Sequence, residues 1–149
     1  YLGEAIKSGE GATYTDIRGI APLRDALAEN ISERYQGSVN RDDILITAGC
    51  NQAFCSVIDS LCQAGDEVIV LEPFYENYGP DAVLSQAKPV FLPLEAPEYR
   101  LDRAHLESVV TEKTRAIVLN TPNNPTGRVF DREELQAVAD VRALDLLAF

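Results

Sequence analysis

Three short segments of the sequence contain residues that could bind a flat, phosphorylated ligand. The first is the glycine turn Ala48-Gly49-Cys50-Asn51, which leads into a predicted helix. Backbone N–H groups and the positive end of the helix dipole attract an anion at such a turn, so it could hold a phosphate without a basic side chain. It could equally be a tight turn and nothing more, since it matches neither the Walker pattern nor GxGxxG.

The second segment is EPFYENY, residues 72–78, which places aromatic rings directly after a predicted strand. A flat aromatic ligand could stack on one of these rings. The same rings could instead only cover the apolar core beneath the next helix, and the segment alone does not decide between the two interpretations.

The third segment is NTPNNPTG, residues 120–127, and it is the most specific of the three. Its two prolines, Pro122 and Pro125, fix the backbone, while the asparagine amides remain able to form hydrogen bonds. The segment therefore predicts a rigid loop that presents amide groups to a ligand.

The elements that must position these segments alternate between helices and short apolar strands. Apolar spacing predicts helices at residues 22–35, 51–64, 80–86 and 102–110, and a last helix that begins at Asp131 with a capping box completed by Glu134. Apolar runs predict strands at residues 44–47, 68–71, 90–92, 116–120 and 144–149. This alternation is typical of an α/β fold with a mostly parallel sheet and helices on both faces. Each of the three segments then follows a strand, at the edge where such sheets bind ligands.

Taken together, the segments resemble the class I and II aminotransferases of the fold-type-I pyridoxal-phosphate family. The resemblance extends from EAIKSGEGATYTDIRGIAPLRDAL through ITAGCNQA and EPFYENY to NTPNNPTGRVF. It implies pyridoxal phosphate as the cofactor, with an amino acid and a 2-oxo acid as substrates. It further implies that Gly49, Cys50 and Asn51 hold the cofactor phosphate. In the same way, Tyr75 would stack on the pyridine ring and Asn124 would form a hydrogen bond with the phenolic oxygen.

Tyr14, in the segment YTDIRG, stands where this family has a tyrosine that reaches the cofactor phosphate of the partner subunit. The resemblance therefore implies a homodimer whose active sites are shared between subunits.

The resemblance also implies that residues 1–149 are part of the large cofactor-binding domain of a longer enzyme. The small domain is expected outside this chain, together with the Schiff-base lysine, the aspartate that keeps the pyridine nitrogen protonated and the arginine that binds the substrate carboxylate. No catalytic residue is therefore assigned within the chain. Lys7, Lys88 and Lys113 are expected to be solvated surface lysines.

Two other functions stay open at this point. A carbon–sulfur β-lyase would use the same cofactor, and only the missing substrate-facing residues would distinguish it from a transaminase. A non-catalytic, aminotransferase-like module of a transcriptional regulator would be distinguished by a basic helix-turn-helix upstream.

The composition argues against several other classes of partner. The chain has 24 acidic and 13 basic residues and a net charge of -11, which repels nucleic acids and anionic membranes. It has no apolar run close to the ~20 residues of a membrane span and no basic-then-apolar signal at its start. The three closely spaced cysteines, Cys50, Cys55 and Cys62, and the single histidine form neither a disulfide framework nor a metal-site pattern. We expect a cytoplasmic protein without a metal, a nucleic acid or a membrane as partner.

Overall fold

The computed structural model of the chain describes residues 1–141 and 147–148. The chain divides into two compact units, residues 1–49 and 50–149. The first unit contains helix α1 (Leu2–Ser8), helix α2 (Ala21–Tyr35) and two short 3₁₀ turns, Glu10–Ala12 and Arg41–Asp43. Helix α2 confirms the helix predicted at residues 22–35.

The buried face of α2 is shifted from the face that the apolar spacing indicated, although Leu27 and Ile31 of that face are half-buried. Leu23 and Tyr35 are exposed, whereas the buried residues are Arg24 and Ala28. The Arg24 guanidinium donates hydrogen bonds to the Ile44 carbonyl at 3.0 Å and to the Arg41 carbonyl at 2.7 Å. A buried arginine therefore lies on this face beside the apolar residues.

The prediction of a strand at residues 44–47 is wrong, because these residues have no regular secondary structure. The Ile44 carbonyl is bound by Arg24, and the Ile46 N–H donates to the Arg18 carbonyl at 3.0 Å. Gly19, at φ 97°, makes this close approach possible, since a Cβ there would lie 2.4 Å from the Ile46 side chain. The backbone groups of Ile44 and Ile46 therefore form hydrogen bonds with a guanidinium group and a loop, and not with a neighbouring strand.

The second unit alternates helices and strands as predicted. Its elements are α3 (Cys50–Leu61), β1 (Glu67–Glu72), α4 (Tyr78–Leu84), β2 (Lys88–Pro93), α5 (Arg103–Val109), β3 (Thr114–Val118), α6 (Arg132–Asp140) and β4 (Leu147–Ala148). The strands pair in the order β2-β1-β3-β4, and every pairing is parallel. The α/β fold with a parallel sheet is therefore confirmed. Strand β4 lies within the strand predicted at residues 144–149, whose other residues fall outside those described.

Helices cover both faces of this sheet. Successive residues of a strand point to opposite sides, so a continuous apolar strand presents an apolar surface on each face. On one side, the core joins the strands to α5 and α6 through Ile69, Leu71, Ile117, Leu106 and Val138. On the other side, it joins them to α3 and α4 through Val68, Val70, Ala116, Phe54, Ile58 and Ala82. The continuous apolar run VIVL in β1 is thus buried on both faces, as its sequence predicted.

Candidate active site at the carboxyl edge of the sheet

The predicted phosphate-binding turn has the backbone geometry that the sequence indicated. Gly49 lies at φ 86°, and its N–H donates to the Thr47 carbonyl at 2.9 Å. The Thr47 hydroxyl donates to the Gly49 carbonyl at 3.0 Å, which fixes the turn. The next residues in the chain, Cys50 and Asn51, form the first turn of α3, and Cys50 is exposed. The first N–H groups of a helix have no acceptor within the helix, so this turn can bind an anion.

The aromatic segment after β1 holds Tyr75 in a defined orientation. Its ring lies 5.7 Å from the ring of Tyr78 in an edge-to-face arrangement, and the Asn77 amide donates to its hydroxyl at 3.3 Å. Tyr78 in turn packs against Phe54 of α3, with ring centroids 4.9 Å apart. Burial raises the pKa of the Tyr78 hydroxyl, and the nearby Cys50 and Tyr75 add to that rise. The start of α3 and the segment after β1 therefore meet at the carboxyl end of β1.

A second aromatic contact supports this segment from the side of β2. Phe74 stacks on Phe91 with ring centroids 5.4 Å apart and an angle of 6° between the rings. Gly79 lies beneath the pair, and a Cβ there would be 3.3 Å from the Phe91 ring. A larger residue at Gly79 would press on this stack.

The loop NTPNNPTG after β3 is held by its own hydrogen bonds. The Asn120 amide group, in the orientation that satisfies both of its ends, accepts from the Asn124 N–H at 3.0 Å and donates to the Pro122 carbonyl at 3.3 Å. The Thr121 hydroxyl accepts from the Phe130 N–H at 3.2 Å. The side chain of Asn124 is exposed, so its carboxamide is accessible to a ligand.

Asn123 is the functional candidate that the sequence analysis missed. Its side chain is 8% exposed, and its amide donates to the Pro73 carbonyl at 3.0 Å. This hydrogen bond joins the loop after β3 to the segment after β1, fifty positions earlier in the chain. The sequence shows two adjacent asparagines, but it does not show which of them turns inward.

The structure therefore brings together three of the predicted positions within the second unit. Phe54, in the helix that begins at Cys50, packs on Tyr78, and Tyr75 also packs on Tyr78. The loop of Asn124 is bonded to the segment of Tyr75 through its neighbouring residue. Tyr14 belongs to the first unit, where its side chain is fully exposed.

A separate cleft of about 770 Å³ lies between α5 and α6. Two of its arginines are engaged in ion pairs, since Arg100 contacts Asp131 at 3.3 Å and Arg103 contacts Asp140 at 3.0 Å. This cleft is a charge-balanced surface feature and is lined by residues other than those at the carboxyl edge.

A family model described as aminotransferase class I and II matches residues 3–146 of the chain. Kynurenine–oxoglutarate transaminase 3 of Homo sapiens is 39% identical over 139 residues, which cover 86% of this chain and 31% of that protein. An aspartate aminotransferase of Pyrococcus horikoshii is 38% identical over 144 residues, which cover 94% of this chain and 37% of that protein. The chain thus spans about a third of the length of these relatives.

Solved structures agree with this match. The crystal structure of YbdL from Escherichia coli, which identified a methionine aminotransferase function, superimposes with a TM-score of 0.89 at 30% identity. The alignment covers 99% of this chain and 41% of that one. N-succinyldiaminopimelate aminotransferase from Mycobacterium tuberculosis gives a TM-score of 0.89 at 32% identity, covering 98% of this chain and 39% of that one.

Proposed function

Because this chain belongs to the class I and II aminotransferase family, we propose that the protein it forms part of transfers an amino group from an amino acid to a 2-oxo acid with pyridoxal phosphate as cofactor. The observation that carries the proposal is the meeting of the first turns of α3, the aromatic segment after β1 and the NTPNNPTG loop at one edge of the sheet. That edge is where parallel α/β sheets bind their ligands.

The residues at this edge suit the chemical groups of the cofactor. The amides at Gly49, Cys50 and Asn51 would bind the phosphate, because a helix N-terminus favours an anion. Tyr75, whose ring is half-buried and oriented by its neighbours, would stack on the pyridine ring. The exposed carboxamide of Asn124 would donate a hydrogen bond to the phenolic oxygen. When bound, the cofactor supplies a ring that accepts electrons from the substrate.

Several features of the complete protein belong to the same proposal. Residues 1–149 would be part of the cofactor-binding large domain, and the small domain and the Schiff-base lysine would lie elsewhere in the protein. The protein would be a homodimer, in which the exposed Tyr14 reaches the cofactor phosphate of the partner subunit. A cytoplasmic location is supported by the three free cysteines. Within the described part of the chain, no helix has the length and apolar character needed to cross a membrane.

The test uses the full-length protein loaded with pyridoxal phosphate. Amino acids labelled at the α-nitrogen are supplied one at a time with oxoglutarate, and mass spectrometry follows the label. Transfer of the label to glutamate is expected for at least one donor. Release of the label as ammonia, with pyruvate from a sulfur-containing donor, would instead show a β-lyase. Cofactor binding without either product would contradict the proposed activity.

A further inference from the structure

Both N–H donors of the Asn123 side chain form hydrogen bonds. The Nδ2 group donates one hydrogen bond to the Pro73 carbonyl at 3.0 Å and another to the Thr126 hydroxyl at 2.9 Å. An asparagine amide has two N–H donors, so both are used. The side chain is 8% exposed and is therefore shielded from water that could replace these contacts.

The backbone around Asn123 closes the loop on itself. The Asn123 N–H donates to the Arg128 carbonyl at 2.8 Å, and the Asn123 carbonyl accepts from the Gly127 N–H at 2.7 Å. The Thr126 hydroxyl also accepts from the Arg128 N–H at 3.1 Å. Asn123 is thus fixed by both its main chain and its side chain, and the residue that follows it, Asn124, is fixed with it.

The partner of Asn123 lies in the other half of the proposed site. Pro73 has no N–H group, so its carbonyl is its one main-chain group that can form a hydrogen bond. Pro73 is two residues before Tyr75. The hydrogen bond from Asn123 therefore ties the segment that contains Tyr75 to the loop that contains Asn124.

We infer that Asn123 is a positioning residue, whose hydrogen bond to Pro73 sets the distance between the ring of Tyr75 and the carboxamide of Asn124. The inference rests on the proposed function, because it matters only if those two side chains bind the same cofactor. Asn123 would not itself bind the cofactor through its N–H donors, because Pro73 and Thr126 already accept from both of them.

The size of the effect follows from the loss of the hydrogen-bond donor to Pro73. The Pro73 carbonyl is half-buried, so losing its hydrogen-bond donor carries a cost that water only partly offsets. The part of this loss that appears in cofactor affinity is expected to raise the dissociation constant about threefold to thirtyfold, since about 1.4 kcal/mol corresponds to a factor of ten.

The experiment compares Asn123→Asp and Asn123→Ala in the full-length protein, with pyridoxal phosphate as the probe. Aspartate has the shape of asparagine, but as a carboxylate it cannot donate to Pro73. Fluorescence titration gives the dissociation constant, and visible circular dichroism reports the orientation of the bound cofactor. Both variants are expected to bind more weakly and to change the dichroism signal.

Thr114→Val is the matched control. Thr114 is fully buried at the opposite end of β3, and its hydroxyl accepts from the Thr111 N–H at 2.9 Å. Its loss is expected to lower thermal stability without changing the dissociation constant or the dichroism. If Asn123→Asp binds the cofactor as tightly as the unchanged protein, or loses no more affinity than Thr114→Val, the positioning role is wrong.

Three further variants separate this inference from the proposed function. Tyr75→Ala and Asn124→Ala should each weaken binding, and Asn123→Asp combined with Tyr75→Ala should weaken it by less than the product of the two single effects. If neither Tyr75→Ala nor Asn124→Ala changes binding, the proposed cofactor site itself fails. If they do but the double variant shows independent effects, only the inference about Asn123 fails.

Discussion

In the proposed site, the side chain of Tyr75 is already oriented in the protein without a ligand. Its ring is held at one edge by Tyr78 and its hydroxyl by Asn77, so few orientations remain open to it. A side chain that is already oriented loses less conformational entropy when a ligand stacks on it. The rigidity of this residue is thus part of what the site would contribute to affinity.

Replacing Tyr75 with alanine in the full-length protein is expected to weaken pyridoxal phosphate binding. The lost stacking contact is worth about 0.5–1.5 kcal/mol beyond area burial, which corresponds to a rise in the dissociation constant of roughly threefold to tenfold. Fluorescence titration measures the change. Tyr35→Ala, at an exposed tyrosine of α2, is the control. An unchanged constant for Tyr75→Ala would remove this residue from the site.

At the scale of elements, Glu134 joins three segments of the second unit. Its carboxylate accepts from the Asp131 N–H at 2.7 Å, as the capping box predicted, and from the Leu101 N–H at 2.9 Å. It also contacts the Arg128 guanidinium at 2.7 Å, and it is 2% exposed. The start of α6 is therefore tied to the segment before α5 and to the end of the NTPNNPTG loop.

Glu134→Ala is expected to lower the free energy of unfolding by about 2–4 kcal/mol, because it leaves buried donors and a partly buried guanidinium without a partner. Urea denaturation of the full-length protein measures this change. The exposed neighbour Glu133 provides the control in Glu133→Ala. Equal stabilities of the two variants would contradict the structural role given to Glu134.

Glu67 links the amino ends of β1 and β2 through its parallel partner Lys88, at 3.1 Å. The Thr111 hydroxyl, and then the Lys88 ammonium, hold the pKa of the Glu67 carboxyl below its ordinary value of 4.5. A carboxyl group with a lowered pKa in the folded state stabilises the protein above its unfolded pKa. That contribution is lost as the pH falls through the folded pKa.

Glu67→Gln is therefore expected to destabilise the protein at neutral pH and to match it more closely under acid conditions. The measurement is urea denaturation of both proteins from neutral pH to below the ordinary pKa of 4.5. Glu112→Gln, at an exposed glutamate, shows how a surface carboxylate behaves in the same titration. A stability difference that stays constant across this range, or grows on acidification, would contradict the assigned direction of the pKa shift.

At the scale of the whole molecule, the lysines of the second unit lie away from the proposed site. Lys88 begins β2 and Lys113 precedes β3, so both are at the amino edge of the parallel sheet. The proposed site lies at the carboxyl edge. Both lysines are exposed, as is Lys7 on α1, which agrees with the surface positions expected from the sequence.

Residues 1–149 expressed alone are expected not to transfer amino groups, because no lysine of the second unit lies at the edge that would hold the cofactor. Borohydride reduction in the presence of pyridoxal phosphate, followed by peptide mapping, is the measurement. Scattered, substoichiometric labelling of Lys7, Lys88 and Lys113 is expected. Stoichiometric labelling of one lysine together with measurable amino transfer would place the catalytic lysine within this chain.

The proposed homodimer makes a separate prediction about Tyr14. Mixing subunits that have Tyr14→Phe with subunits that lack the catalytic lysine should form heterodimers in which one site has both defects and the other has neither. Such mixtures are expected to regain activity relative to either parent. Activity that depends only on each subunit's own Tyr14 would contradict a contribution across the interface.

The sequence by itself determined the α/β alternation, the parallel sheet and the family, because buried strands, helix caps and the NTPNNPTG loop are local patterns. The run VIVL in β1 and the capping box before α6 were readable for this reason. Only the tertiary structure decided which polar groups satisfy one another across the chain. Arg24 binds the carbonyls at 41 and 44 in place of a strand, and Asn123 instead of Asn124 turns inward to Pro73. These hydrogen bonds join residues up to fifty positions apart in the chain, and no local pattern of residue types predicts them.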